Sequence, residues 1–236
     1  MSEIESLFSR KDMTFDEAVS YFKDRVPVPS AIFYTLAEKY RGLAFTVSGY
    51  TSAQVLKKFY EEILSALEDG ITLEQFKADM EDFLEANGYE GLDPAQADNI
   101  FRTNIQTAYN AGHYAQLTDP TVMRLRPYWI YDAIEDDHTR PSHLAMDGMV
   151  YPADSPVWDT WFPPNGFRCR CTVRSLSKRQ LEARGLTVST AAPSTITPDP
   201  SFATNPAKTR FNPDMKGYPA AIAKAYRDRE KDNPQK

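Results

Sequence analysis

The chain has 236 residues, 42% hydrophobic and 25% charged, an ordinary globular composition that excludes wholesale disorder. Its formal charge of −6 is unevenly spread: residues 1–98 carry 9 Lys and Arg against 19 Asp and Glu, and residues 99–236 carry 18 against 14. That basic excess is too small to mark a nucleic-acid binder by itself, and two cysteines cannot build a disulfide framework. No run approaches the roughly 18 apolar residues of a membrane span. The N-terminus is acidic and lacks the apolar stretch of a cleaved signal, so the expectation is a soluble, intracellular chain with no membrane partner.

In chain order, Thr14-Phe15-Asp16-Glu17 has the pattern of a capping box and opens a helix that Pro27 and Pro29 close. A second helix is predicted over 30–45, with Ser30 as cap and Ile32, Phe33, Leu36 and Tyr40 on one face. A third spans about 51–67, with Val55, Phe59, Ile63 and Leu64 at helical spacing and Gly70 as the stop. Thr72-Leu73-Glu74-Gln75 is another capping box, leading Phe76, Met80, Phe83 and Leu84 towards Gly88. Asp93-Pro94 offers an N-cap and a first-turn proline for a long helix to about Leu117. On that helix Arg102, Gln106, Tyr109 and His113 form a polar stripe, and Ala97, Ile100, Phe101, Ile105 and Ala108 the buried side.

After Pro120 the texture changes. Residues 126–133 are aromatic and β-branched and read as a strand; a second short strand follows an Asp147-Gly148 turn. The stretch 154–166, with three prolines and two tryptophans, is an irregular loop in which Trp158, Trp161 and Phe162, with Trp129, act as core anchors. Over 167–174 the residues alternate, placing Phe167, Cys169, Cys171 and Val173 on one face and Arg168, Arg170, Thr172 and Arg174 on the other. A short helix is predicted at 177–183. Residues 187–213 are rich in Pro, Thr, Ser and Ala and read as a linker or flexible extended arm, with a last helix over 218–229. The expected fold is α+β: a helical N-terminal region over 1–92, a module of short antiparallel strands over 93–186, and a Pro-rich tail over 187–236.

Two local features carry chemistry. Cysteines at i and i+2 on a strand put both sulfurs on one face, so Cys169 and Cys171 can share a metal, with His143 as a third ligand and Asp137 or His138 as a fourth. Equally, the two thiols can simply belong to a buried strand face, since free cysteine is among the most buried residue types. On the opposite face, Arg168, Arg170 and Arg174, continued by Lys178, Arg179 and Arg184, suit phosphate oxygens of double-stranded DNA, an acidic partner surface, or the chain's own acidic N-terminal part. A solvated polar face is the plain alternative. For catalysis, Asp136, Asp137 and His138 stand beside His143, yet the chain lacks His-x-Glu with Pro-Cys-x-x-Cys, a Walker A loop and a Gly-x-Ser-x-Gly elbow. The expectation is a non-enzyme, with zinc the one cofactor the residues suggest.

Several stretches form an ordered series: Arg102-Thr-Asn-Ile-Gln-Thr-Ala-Tyr-Asn-Ala-Gly112; Arg126-Pro-Tyr-Trp129; Asp136 to His143; Asp147-Gly148; and Trp158 through Pro163-Pro164-Asn165-Gly166 to Cys171. The series resembles the phage Mu F-like family of head morphogenesis proteins, minor head proteins of tailed phages, over about residues 13–185, including Ala44 to Val47. The resemblance implies a structural role in capsid assembly near the portal and in DNA packaging or delivery. The implied partners are portal, major capsid or scaffolding proteins, with double-stranded DNA as a further candidate; the implied location is the virion, at the capsid interior or portal vertex, and the host cytoplasm during assembly. It assigns structural motif roles to Arg102, Asn104, Trp129, Asp147, Gly148, Pro163, Pro164 and Gly166, with Arg102 and Asn104 pinning the long helix to the β region. Other branches resemble a zinc-type site, with Cys-x-x-Cys ahead of Asp-Gly and a histidine just before Cys-Arg-Cys. Here Arg140 and His143 stand at the first two cysteine positions, and Asn165-Gly166 where that histidine would be. The competing readings are a metal-dependent, nuclease-like enzyme centred on Asp137, His143, Cys169 and Cys171, and a DNA-binding accessory using the 168–184 face.

Overall fold

A computed structural model describes residues 15–33 and 44–208. The first elements are α1 (Asp16–Lys23), the two-residue strand β1 (Val26–Pro27), α2 (Ser30–Phe33) and β2 (Ala44–Phe45). Thr14 lies outside the described residues; the cap position is held by Phe15, which makes no side-chain capping bond. α1 stops at Lys23, short of the prolines, and Pro27 pairs instead in parallel with Phe45. The helix expected over 30–45 is therefore corrected at its far end. Ala44 and Phe45 are extended because Phe45 is wholly buried beside Phe22 and Tyr60, at 5.9 Å from each ring. Ser30 does not cap. Its hydroxyl donates to the Val47 carbonyl at 3.2 Å, tying the chain back on itself. Leu36 and Tyr40 lie outside the described residues.

Three longer helices follow: α3 (Ala53–Glu68), α4 (Leu73–Ala86) and α5 (Pro94–Leu117). The capping box on α4 is complete, with Gln75 N–H donating to Thr72 Oγ1 at 3.3 Å and Thr72 N–H to Gln75 Oε1 at 3.0 Å. Thr72→Ala is expected to cost about 1 kcal/mol, read as a shifted urea midpoint at unchanged slope. Asp93 caps α5 through Gln96 N–H at 2.8 Å. Phe22, Phe59, Ile63, Phe76, Met80 and Leu84 fill a helical core, closed by Ala97 and Ala108 of α5. A 24-residue helix is about 36 Å long, enough to serve two cores, and Tyr114 and Leu117 near its far end join the second.

That second core is aromatic. A six-residue helix α6 (Pro120–Leu125), unanticipated in the sequence reading, is capped by Asp119 and leads into β3 (Tyr128–Asp132). β3 is the central strand of an antiparallel sheet with β4 (Val150–Pro152) and β5 (Thr172–Leu176), in the order β4-β3-β5. One face carries Trp129, Tyr131, Tyr151 and Val173 onto Trp158, Trp161 and Phe162, from and just after α8 (Trp158–Trp161). The other carries Ile130, Val150 and Leu176 onto Leu181 of α9 (Lys178–Ala183) and Leu186.

Two further expectations change. The alternating strand predicted from residue 167 begins only at Thr172, because Arg168 sits at φ +56° and Cys169 N–H bonds back to Gly166 at 3.2 Å, making a turn. Phe167 is consequently 53% exposed and meets Phe202 edge to face, while Cys169, Cys171 and Val173 alone share the buried side. The Pro-rich segment is irregular, with turns and a short 3-10 helix at Pro206–Lys208, and it is docked through residue 208. Ser189 N–H donates to Val150 at 2.7 Å, Asp199 N–H to Asn165 at 2.9 Å, and Asn205 N–H to Asp159 at 2.7 Å. Residues 209–213 and the helix expected over 218–229 lie outside the described residues. No helix among the described residues is long and apolar enough to cross a membrane.

Candidate metal centre and its surroundings

His143 enters the site from α7 (Pro141–Leu144), a single turn with proline at its first position. Only 1% exposed, it presents Nδ1 at 3.5 Å from Cys171 Sγ and 3.8 Å from Cys169 Sγ. The three donor atoms all lie within 4.8 Å of one another, and both cysteines are free thiols. His143 Nε2 is buried with no hydrogen-bond partner. Tyr131 of β3 closes the group, its hydroxyl donating to Asn165 Oδ1 at 2.8 Å and lying within hydrogen-bond reach of the Cys171 thiol.

The electrostatics split the two thiols. A hydrogen bond from Cys171, helped by the Asn165 backbone and opposed by burial, brings the Cys169 thiol down to about 7. The same pairing and then burial push Cys171 well above the ordinary thiol range. Burial also keeps Tyr131 protonated far beyond its usual range.

Two sulfurs and an imidazole nitrogen suit a zinc-class ion. Asp137 and His138 do not complete the set. Their side chains are 89% and 81% exposed, they face each other at 3.6 Å, and neither joins the cluster. Arg140 pairs with Asp199 at 2.8 Å, and buried Asn165 is engaged by Tyr131 and Thr160, so neither supplies a further ligand. The donors present therefore fit a zinc-class ion as a three-ligand set, one short of a closed structural site.

The arginine face is matched, carboxylate by carboxylate. Arg168 pairs with Asp98 at 3.0 Å, Arg170 with Asp136 at 2.5 Å and Arg174 with Asp132 at 2.7 Å. Arg170 grips Asp136 through two nitrogens and holds that carboxyl far below the usual carboxylate range. Lys178 lies 4.0 Å from Glu182, both well exposed, and Arg179 is exposed on α9.

The polar side of α5 clamps this region. Gln106 Nε2 and Asn110 Nδ2 both donate to the Cys171 carbonyl, at 3.1 and 3.3 Å, and His113 Nε2 bonds the Val173 carbonyl at 2.7 Å. Arg102 contributes through Asp98, which it holds at 2.6 Å while Asp98 also binds Arg168. The role expected of Asn104 is corrected. Its side chain accepts from Arg25 at 2.8 Å and donates to Ile100, securing the helical part instead of the β region.

The family model described as Phage Mu protein F like protein matches residues 57–174, a span that runs from α3 to β5. The chain belongs to this Mu F-like family. It is 35% identical over 192 residues to the putative capsid assembly protein F of Escherichia phage Mu, an alignment covering 75% of this chain and 43% of that protein. It is also 35% identical over 171 residues to the Mu-like prophage FluMu F protein of Haemophilus influenzae, covering 67% of this chain and 41% of that one. The chain thus spans less than half the length of either relative. No solved structure matches it.

Within this Mu F-like chain the remaining motif residues shape backbone. Asp147 Oδ1 accepts from Ala133 N–H at 2.7 Å, and Gly148, at φ +70°, donates to the Tyr131 carbonyl at 3.0 Å. A side chain at Gly166 would collide with the Asp199 carboxylate and Arg140, so glycine there leaves room for that ion pair. The Pro163–Pro164 peptide is cis, and Trp129 lies fully buried at the centre of the aromatic core. The sequence reading missed Asn110, wholly buried, and the partners Asp98, Asp132 and Asp199. Only Asn110 gave a usable signal, as a polar residue between two inward alanines of α5.

Proposed function

We propose that this chain is a minor head protein of a tailed phage, with a structural role in procapsid assembly close to the portal vertex. The observation that carries this reading is the likeness, over three-quarters of the chain, to a protein named for capsid assembly in phage Mu. Side-chain chemistry supports it: the polar motif residues are spent on holding backbone, with Gln106, Asn110 and His113 fastening the Cys171 and Val173 carbonyls. The proposed partners are the portal and the major capsid or scaffolding protein, with packaging or delivery of DNA as the step served. The proposed location is the virion, reached through assembly in the host cytoplasm. In a phage that encodes the chain, its deletion is expected to abolish most infectious particles and leave misassembled or empty heads in electron micrographs, with rescue by the full chain in trans. Unchanged yields of filled, infectious heads would overturn the proposal.

The alternative of a DNA-binding accessory is separable by salt. With Arg168, Arg170 and Arg174 already ion-paired, duplex affinity is expected to be weak and unaffected by Arg170→Ala with Arg174→Ala. Tight binding that falls steeply with salt and is lost in that double variant would transfer the function to DNA.

A further inference from the structure

Three side chains from two separate segments meet in the aromatic core without an evident structural need. His143 comes from α7, while Cys169 and Cys171 lie 26 and 28 residues further on, in the turn before β5. A purely apolar core would place aliphatic groups there, as the neighbouring Val173 and Met146 do. Instead a buried imidazole has two thiols as its polar contacts, both through Nδ1. Backbone N–H groups of Asn165 and Cys171 also reach the Cys169 sulfur, so the thiol is not lined by apolar groups alone.

We infer that His143 Nδ1, Cys169 Sγ and Cys171 Sγ bind one divalent zinc-class ion, with the fourth position left to water or another non-protein ligand. Charge balance favours this ion in a dry site. Two thiolates and a neutral imidazole cancel a double positive charge, whereas a further carboxylate such as Asp137 would leave the buried group negative. Binding forms three metal–ligand bonds; the two thiol protons leave to solvent, and His143 keeps its proton on Nε2. This chain thereby departs from the closed four-ligand arrangement: Arg140 is committed to Asp199 and Asn165 to Tyr131, and neither can be recruited without breaking that bond. The ion staples α7 to the start of β5 across the loops that carry Asp147 and the Pro-rich turn. The inference is independent of the assembly role, and either can fail alone.

The test is a cobalt(II) titration of the full reduced chain, followed by displacement with zinc. The expected result is one ion per chain, with near-ultraviolet thiolate-to-metal charge-transfer bands sized for two sulfurs, visible bands of a four-coordinate ion, and loss of both on adding zinc. Cys169→Ser and Cys171→Ser should each remove about half of the charge-transfer intensity. His143→Gln should keep it while weakening affinity by more than the roughly tenfold typical of a lost outer-shell partner. The wild-type titration stands even if a variant fails to fold. Absence of charge-transfer bands at tenfold excess cobalt, or bands unchanged in both serine variants, would overturn the inference.

Discussion

Trp158→Ala is expected to lower stability by about 3–5 kcal/mol, the range for truncating a large buried aromatic. The side chain is 1% exposed and lies among the rings of Trp129, Tyr151 and Phe162, at 5.6, 5.5 and 6.4 Å between centroids. Alanine would leave a cavity that none of these rings can fill by a simple rotation, since each is packed in turn against others. It would also remove the bond from Trp158 Nε1 to the Pro152 carbonyl at 2.9 Å, leaving that carbonyl only the Ser155 N–H at 3.0 Å. Because the Trp158 carbonyl receives Asn205 Nδ2 at 3.1 Å, the docked arm should loosen as well. The measurements are urea denaturation by circular dichroism and the rate of proteolysis within 187–208. Arg170→Ala serves as the reference. Its ion pair with Asp136 is largely exposed, and exposed pairs of this kind contribute little to stability. Equal losses in the two variants would mean that the aromatic core is not what holds the module.

The contrast between these residues also shows what a sequence can disclose. Elements with local chemistry were legible: Thr72 with Gln75 and Asp93 with Pro94 cap where the pattern placed them, and a short helix stands at Lys178–Ala183 close to its expected span. Asp119-Pro120 carries the same signal as Asp93-Pro94 and was overlooked because α6 is too short to show a helical period. β1 and β2 were hidden for a related reason: two residues cannot display alternation, and their pairing spans 18 positions in sequence. The over-long strand at 167–174 failed differently. Its alternation is real from Cys169 onward, but the left-handed backbone at Arg168 breaks it, and the residue at that position is not the glycine that would have signalled it.

At the site, spacing along the chain foretold part of the geometry. Cys169 and Cys171 were joined correctly because an i, i+2 relation survives modest departures from strand geometry, and His143 arrived as expected. Asp137 failed because neighbours in sequence diverge in a turn. Asp136 folds back to accept from His138 N–H at 3.1 Å and Thr139 Oγ1 at 3.2 Å, which leaves Asp137 in solvent. The arginine run was visible as charge, but its partners come from three places: Asp98 on α5, Asp132 on β3 and Asp136 in the turn. Only the tertiary fold supplies that neutralisation.

Gly112→Ala tests the join between the helical part and the motif-bearing helix, and its sign is the informative quantity. In an open helix position the change would stabilise by about 1 kcal/mol through helix propensity. At Gly112 an added Cβ would lie 2.5 Å from Ala18 N, 2.9 Å from Glu17 C and 3.0 Å from Ala18 Cα. These are backbone atoms of α1 and cannot swing aside as a side-chain tip would. α1 must therefore move off α5, disturbing Ala18 and Phe22 in the helical core and lengthening the Arg25 bond to Asn104. Overpacking of this kind costs about 1–3 kcal/mol, so the expected outcome is a net loss in that range despite the propensity gain. Thermal and urea denaturation of the full chain give the sign directly. A stabilised variant would mean that α1 does not dock on Gly112, and that the acidic N-terminal helix is free to seek its partners elsewhere.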